Sequence, residues 1–115
     1  MVIINTVDEF NNLPKEVKTL TFGECFNQKI NIPNTVQTIT FGHYFNQKIN
    51  IPNSVQNLTF GYEFNKKINI PNSVQTLTWY CNQKVNIPNS VQTLTINKNF
   101  NKDVFIPPHI KINKN

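Results

Sequence analysis

The sequence predicts a repeat solenoid, mainly β, in which each repeat adds one short strand to a single parallel sheet. Three observations support this fold class. Six of the seven prolines recur at a nearly constant spacing, a polar-apolar alternation follows each of them, and the same columns stay apolar from repeat to repeat. One short repeat cannot bury its own apolar face, so several must stack to form a core.

The proline spacing defines the repeat. Its steps are 19, 19, 19, 17 and 19 residues, for prolines at Pro14, Pro33, Pro52, Pro71, Pro88 and Pro107. The short step loses two residues between Trp79 and Asn82, where "FGYEFN" of the preceding repeat becomes "WYCN". The repeats therefore share one register with a single local deletion.

The segments "TLTF", "TITF", "NLTF", "TLTW" and "TLTI" are predicted to be the five strands. Polar and apolar residues alternate in them, which is the period of a strand with one buried face. The "KINIP" segment alternates as well, but its proline ends any pairing, so the back of each repeat is expected to be extended or a short 3₁₀ turn.

Apolar columns and an asparagine column recur in every repeat. A phenylalanine column is expected in the core, with Cys81 as its small buried member: Phe26, Phe45, Phe64, Cys81 and Phe100. The neighbouring asparagines are expected to hydrogen-bond backbone groups of the turns through their side-chain amides: Asn27, Asn46, Asn65, Asn82 and Asn101. Single glycines after three strands predict turns with positive φ at Gly23, Gly42 and Gly61.

The sequence divides into an N-terminal cap at 1–18, the five-strand array at 19–106 and a C-terminal cap or tail at 107–115. In the proline register Met1 and Ile3 match strand positions, and the run from Thr6 to Glu9 has the pattern of a capping box that starts a short helical turn. Both ends of a solenoid are open edges, so self-association through them is a further expectation.

Composition limits the classes of function. The chain has 115 residues, a net charge of +5, 11 lysines and no arginine, and no apolar stretch reaches the length of a membrane span. The first residues lack the pattern of a signal peptide. Cys25 and Cys81 are three repeats apart, about 15 Å at sheet spacing, too far for a disulfide. These features favour an intracellular, cytoplasmic protein with reduced thiols.

The recurring "FNQKINIPNSVQTLTFG" resembles the FNIP repeat family, which occurs in social amoebae and giant DNA viruses and is related to leucine-rich repeats. The resemblance covers residues 20–107, and Val36, Ile39 and Phe41 match the opening of a leucine-rich repeat. It implies a right-handed coil with the parallel sheet on its concave face, used as a protein-binding module. The 19-residue unit is shorter than the 20 to 29 residues of leucine-rich repeats.

No motif in the sequence predicts catalysis, a metal or a cofactor. His43 follows a strand and His109 lies in the C-terminal tail, and neither has a Cys, His or carboxylate at the spacing of a metal ligand. The six carboxylates form no pair suited to acid-base catalysis, and the isolated glycines form no phosphate-binding loop. We therefore expect a protein that is not an enzyme.

Three surfaces remain as candidate binding sites. The repeats differ most directly after the strands, so Glu24, His43, Tyr62, Tyr80 and Lys98, with the adjacent Thr40, Thr59 and Thr78, are predicted to contact a protein partner. A lysine column at Lys29, Lys48, Lys67 and Lys84 is an alternative site for nucleic acid or an anionic surface, although arginine is absent. The Thr-x-Thr array also resembles the ice-binding face of some antifreeze solenoids, or is simply a solvent-exposed strand surface.

Overall fold

The computed structural model describes residues 2–115, so the expected strand position of Met1 lies outside the described residues. Seven strands form one parallel sheet in chain order, and one short helix follows the first strand. The elements are β1 (Ile3–Ile4), α1 (Val7–Asn11), β2 (Thr19–Phe22), β3 (Thr38–Thr40), β4 (Asn57–Phe60), β5 (Thr76–Trp79), β6 (Thr93–Ile96) and β7 (Lys111–Lys114). The protein is thus a parallel β-solenoid, and each turn of the solenoid is called a rung below.

The predicted strands are β2 to β6, and their register places identical columns above one another. Leu58 pairs with Ile39 on one side and Leu77 on the other, while Thr59 pairs with Thr40 and Thr78. The apolar column is buried and the threonine column is half-buried. Paired strands are 18, 19, 19, 19, 17 and 18 residues apart, from β1 to β7.

The rest of each rung is irregular, as expected from its short length and its proline. Between residues 2 and 115, the only helix is α1 and the only strands are β1 to β7. A tight turn precedes each strand from β2 to β7. In it the proline carbonyl accepts a hydrogen bond from the backbone of the residue three positions later, which is valine before β2 to β6 and Ile110 before β7, as in Val36 to Pro33 at 3.2 Å. The "KINIP" segments form no strand.

The rungs diverge away from the sheet. The rings of Phe22, Phe41 and Phe60 at the ends of the strands are 5.4 and 4.9 Å apart. The rings of Phe26, Phe45 and Phe64, on the turns that leave the sheet, are 6.4 and 6.3 Å apart. Strand spacing is fixed by backbone hydrogen bonds and the turn spacing is not, so the rungs spread apart away from the sheet, in agreement with the concave sheet that the family resemblance implies.

Two columns of phenylalanine fill the core. Phe41, Phe45 and Phe60 are at most 1% exposed, and stacked pairs run along both columns. Phe100 is only partly buried, and no residue of the following strand β7 is buried. These aromatic stacks supply the apolar burial that one rung cannot achieve by itself.

The expectation of positive φ at the glycines is wrong, because no glycine or other residue in 2–115 adopts it. The glycines are required by close approach between rungs. A β-carbon on Gly42 would lie 2.8 Å from the carbonyl carbon of Gly23, and one on Gly61 would lie equally close to the carbonyl carbon of Gly42. A side chain at either position would force two backbones apart.

A short helix begins at the capping-box pattern, but the carboxylate of Glu9 bonds to the backbone of Asn5 instead of that of Thr6, and the register of the first strand differs from the prediction. The Thr6 side chain accepts a hydrogen bond from the Glu9 backbone, and the Glu9 carboxylate accepts one from the backbone of Asn5. Ile4 rather than Ile3 pairs with Phe22 and is buried, because the connection to β2 is one residue shorter than the repeat.

At the other end, β7 adds a strand that the proline register does not predict. It pairs with β6 over four residues, from Thr93 opposite Lys111 to Ile96 opposite Lys114. The turn before β7 lacks one residue relative to the other rungs, which shifts the strand by one position from the proline register. The sheet therefore extends into the segment expected to be a cap or tail.

Candidate functional site

The residues that directly follow the strands form an aromatic row on one edge of the sheet. The ring of His43 lies 5.2 Å from that of Tyr62, and the ring of Tyr62 lies 5.5 Å from that of Tyr80 with only 10° between their planes. Tyr62 is 48% exposed, while His43 and Tyr80 are half-buried. The structure thus brings together three of the five side chains that vary between repeats.

Backbone hydrogen bonds continue past the strands and hold this edge in place. The Tyr44 N–H donates to the carbonyl of Glu24, and the Glu63 N–H donates to the carbonyl of His43, both at 3.0 Å. Glu24 is therefore one rung from His43 and is exposed. Lys98 is exposed as well, and its backbone N–H donates to the carbonyl of Asn115. Neither Glu24 nor Lys98 takes part in the ring contacts of the row.

Tyr44 also belongs to this edge, although it is not among the contact residues that the sequence predicts. It is 52% exposed, and its ring lies 4.5 Å from that of His43. The sequence feature that indicates Tyr44 is an aromatic side chain at a position that varies between repeats. The variable edge is defined below as Glu24, His43, Tyr44, Tyr62, Tyr80 and Lys98.

The threonine face lies beside the variable edge. Thr40, Thr59 and Thr78 are half-buried and in register on neighbouring strands. A second threonine column runs parallel to it and is interrupted by Asn57, whose side-chain amide donates to the hydroxyl of Thr38 at 3.2 Å. The face is therefore regular and rigid, with short polar side chains.

The asparagine column links successive rungs on the turns that leave the sheet. The side-chain oxygen of Asn27 accepts from the backbone N–H of Asn46, and that of Asn46 accepts from Asn65, both at 2.8 Å. Asn82 accepts in the same way from Asn101 at 3.3 Å. These bonds lie on the exposed surface rather than in the interior, and each side chain bridges two backbones that have moved too far apart to bond directly.

Comparison with known proteins agrees with this geometry. The FNIP Repeat model matches residues 9–44 and 45–80, more than half of the chain. The chain belongs to the FNIP repeat family. No curated protein matches it.

Among solved structures, the chain is similar to the giant-virus protein described as "The crystal structure of CroV588 a novel circular LRR protein structure". The two are 34% identical with a TM-score of 0.73. The similarity covers 90% of this chain and 18% of CroV588, so the FNIP chain spans less than a fifth of the length of that relative.

A hydroxyl side chain closes the turn before β3, β5 and β6 of the FNIP rungs, whereas the equivalent Ser54 before β4 has no hydrogen-bond partner among the described residues. The side chains of Thr35, Ser73 and Ser90 each donate to the carbonyl of the valine one rung earlier, at 2.7 to 2.8 Å. His109 Nε2 lies 3.0 Å from the carbonyl of Val91. Since a carbonyl only accepts, this nitrogen carries the proton. His109, which the sequence predicts to lie in a C-terminal tail, therefore contacts the preceding rung.

The short FNIP rung is compensated by a larger side chain. Trp79 is fully buried and meets Phe60 and Phe64 edge-on at 70° and 80°, filling the space that Cys81 leaves in the phenylalanine column. Its indole N–H donates to the carbonyl of Gln83 at 3.0 Å. Burial raises the pKa of the Cys81 thiol to about 12, so this cysteine is a packing residue and a poor nucleophile.

Residues 2–115 contain no helix long and apolar enough to cross a membrane. Within the described range, no three His, Cys, Asp or Glu side chains are grouped in a way that would hold a metal ion. Both cysteines are free, Cys25 exposed and Cys81 buried.

Proposed function

We propose that this FNIP protein is a non-enzymatic scaffold that binds a protein partner through the variable edge and the adjacent threonine face. The observation that carries the proposal is the aromatic row, in which Tyr62 stacks on Tyr80 and contacts the tilted ring of His43, with Tyr62 and the neighbouring Tyr44 about half exposed. Tyrosine is enriched in protein interfaces because it combines apolar area with a hydroxyl.

The row is organised before any partner binds. Its ring centroids are 5.2 and 5.5 Å apart, and the strands that precede these residues are fixed by the parallel sheet. Side chains that are already ordered lose less entropy on association than free ones. This rigidity supports a role in recognition.

The stacking also sets the chemistry of the partner. Because the ring of Tyr62 lies between those of His43 and Tyr80, ring edges and hydroxyl groups face outward more than ring faces do. Ring edges carry partial positive charge and hydroxyls form hydrogen bonds, so a surface rich in carbonyl or carboxylate oxygens fits best.

Ice binding is the weaker candidate for the threonine face. The ring spacings increase from 4.9–5.4 Å at the strand ends to 6.3–6.4 Å on the turns, which supports a curved sheet. Asn57, Lys111 and Asn113 also interrupt the two threonine columns. A concave, interrupted face is a poor match for a flat crystal plane and a better match for a convex partner.

Affinity purification from the native host tests the proposal. The wild-type chain and a Tyr62→Ala, Tyr80→Ala variant would be compared by quantitative mass spectrometry. We expect a partner that is retained by the wild type and depleted with the variant, because the row loses two of its rings. A partner profile that is the same for both would refute the proposed site.

Two controls separate a lost contact from a lost fold. Tyr62→Phe with Tyr80→Phe keeps the stacked rings and removes only the hydroxyls, so it should retain part of the binding. Unfolding in urea should show that both double variants keep a cooperative transition near that of the wild type. We also propose that the protein is intracellular. Retention of the partner in a reducing extract would agree with that location.

A further inference from the structure

We propose that the back of the solenoid, opposite the sheet, is a second binding surface for an extended acidic peptide with a carboxylate at every second residue. This surface, called the back strip below, is defined by Lys29, Lys48, Lys67 and Lys84 and the "KINI" segments that carry them. The inference does not depend on the variable edge, because the two surfaces share no residue.

The four lysines form an uncompensated row of positive charge. All four are exposed and occupy the same position in successive rungs. The side-chain hydrogen bonds that cross this part of residues 2–115 come from asparagine and glutamine, and none comes from these lysines. Like charges held in a column repel one another, and an anionic ligand would relieve that repulsion.

Grooves between the rungs adjoin this charge. A groove of about 760 Å³ spans three rungs and is lined by Lys67 and Lys84 together with apolar side chains such as Ile51 and Ile68. A smaller groove of about 230 Å³ continues to the next rung and reaches Phe105, which is 77% exposed. The back strip thus offers positive charge beside an apolar floor, which suits an acidic peptide with some apolar side chains.

The spacing of the rungs matches an extended peptide that runs along the solenoid axis. Three residues before these lysines, the rings of Phe26, Phe45 and Phe64 repeat at 6.4 and 6.3 Å. Alternate residues of an extended strand repeat at about 6.6 to 6.8 Å. A peptide lying across the rungs therefore presents one carboxylate to each lysine in turn. In the next rung Asp103 replaces lysine and would repel a fifth carboxylate.

A peptide fits this surface better than a nucleic acid does. The chain has no arginine, the residue best suited to paired contacts with phosphate. The phenylalanines next to the lysines point into the core, with Phe26, Phe45 and Phe64 at most 3% exposed, and the exposed ring of Phe105 lies beyond the last lysine. Exposed rings therefore do not alternate with the lysines as stacking of successive bases requires.

Fluorescence anisotropy with two labelled peptides tests the inference. One peptide alternates glutamate and threonine four times, and the other has the same composition with the residues grouped in pairs. The alternating peptide should bind the full chain about fivefold more tightly at low salt, because the grouped peptide aligns only half of its carboxylates with the lysines. Equal affinity for the two peptides would overturn the inference.

Matched variants then locate the site. Lys67→Gln with Lys84→Gln should weaken binding of the alternating peptide about fivefold, whereas Lys15→Gln with Lys111→Gln removes the same charge away from the back strip and should leave the affinity nearly unchanged. An equal loss in both variants would mean non-specific attraction and overturn the inference.

Two further measurements separate this inference from its alternatives. A single-stranded oligonucleotide of equal charge that binds more tightly through Lys67 and Lys84 would replace the peptide with a nucleic acid and refute the proposal. The Tyr62→Ala, Tyr80→Ala variant should bind the alternating peptide like the wild type. We expect that result whether or not the variable edge has a partner. Failure of one proposal can therefore be distinguished from failure of the other.

Discussion

Successive rungs are joined by different contacts on the sheet side and at the back. On the sheet side, backbone hydrogen bonds join every strand to the next, and the rings of Phe41 and Phe60 are 4.9 Å apart. Towards the back, the rings of Phe45 and Phe64 are 6.3 Å apart, and the side chain of Asn46 links the rungs in place of direct backbone bonds. The sheet side is therefore set by backbone geometry and the back by side chains.

This difference indicates where the solenoid accommodates substitutions and deletions. On the sheet side, Gly42 and Gly61 and the inward apolar residues of the strands are constrained, because neighbouring backbones approach closely there and the inward side chains are buried. The back accepts exposed lysines and open grooves, and the turn that leaves the sheet after β5 accepts a two-residue deletion between Trp79 and Asn82. The short rung shows how such a change is accommodated. The large side chain of Trp79, at the end of its strand, packs against Phe60 and Phe64 and offsets the small volume of Cys81 on the turn.

The largest expected effect comes from removing that compensation. Trp79→Ala should lower the free energy of unfolding by about 3 to 5 kcal/mol, because a fully buried indole leaves a cavity and the carbonyl of Gln83 loses its donor. Urea unfolding monitored by circular dichroism measures the change. The matched control is Tyr62→Ala, which truncates a half-exposed ring and should cost less than about 1 kcal/mol. Similar losses in both variants would contradict the account of the short rung.

Adding a methyl group between rungs should have an intermediate effect. Gly42→Ala should destabilise the protein by about 1 to 3 kcal/mol, because the new β-carbon meets the backbone of Gly23 and Glu24, which cannot move aside independently. Thermal and urea unfolding would give the value. Gly23→Ala is the control, since its β-carbon meets mainly the side chain of Asn5, which can rotate away. If Gly23→Ala proves the more damaging change, close backbone approach is the wrong explanation.

The smallest effect is expected on the turns that leave the sheet. Asn46→Ala should cost about 0.5 to 1.5 kcal/mol, because the exposed backbone N–H of Asn65 loses its acceptor and bonds to water instead. The comparison variant Asn46→Asp keeps an oxygen at that position and should recover most of the stability at neutral pH. Amide hydrogen exchange at Asn65 would report the bond directly, and unchanged protection in Asn46→Ala would exclude this role.

The sequence predicts much of this fold because each position of the repeat occurs in several copies, and the copies agree. A strand position is read once in "TLTF" and again in four further copies, so the buried Leu58 and Phe60 and the outward Thr59 could be assigned from alternation alone. The prediction is wrong where the chain departs from the repeat. At β1 the connection to β2 is one residue shorter, and Ile4 replaces Ile3 as the buried residue.

The candidate site was only partly predictable. Variation between repeats marked His43, Tyr62 and Tyr80, but nothing in the sequence says that their rings stack. Tyr44 was overlooked for the same reason, since its contact with His43 depends on how the turn folds. His109 had no neighbour in sequence that suggested its bond to the carbonyl of Val91, one rung away.

The sequence by itself determined the repeat, the strands, the inward columns and the asparagine positions, because each depends on local periodicity and each is repeated. Only the tertiary structure decided why glycine follows the strands, how far the rungs diverge and which exposed side chains meet. Those properties depend on distances between rungs, such as the 2.8 Å that would separate a β-carbon on Gly42 from Gly23. Such distances are set by the balance between backbone hydrogen bonds on one side and side-chain packing on the other.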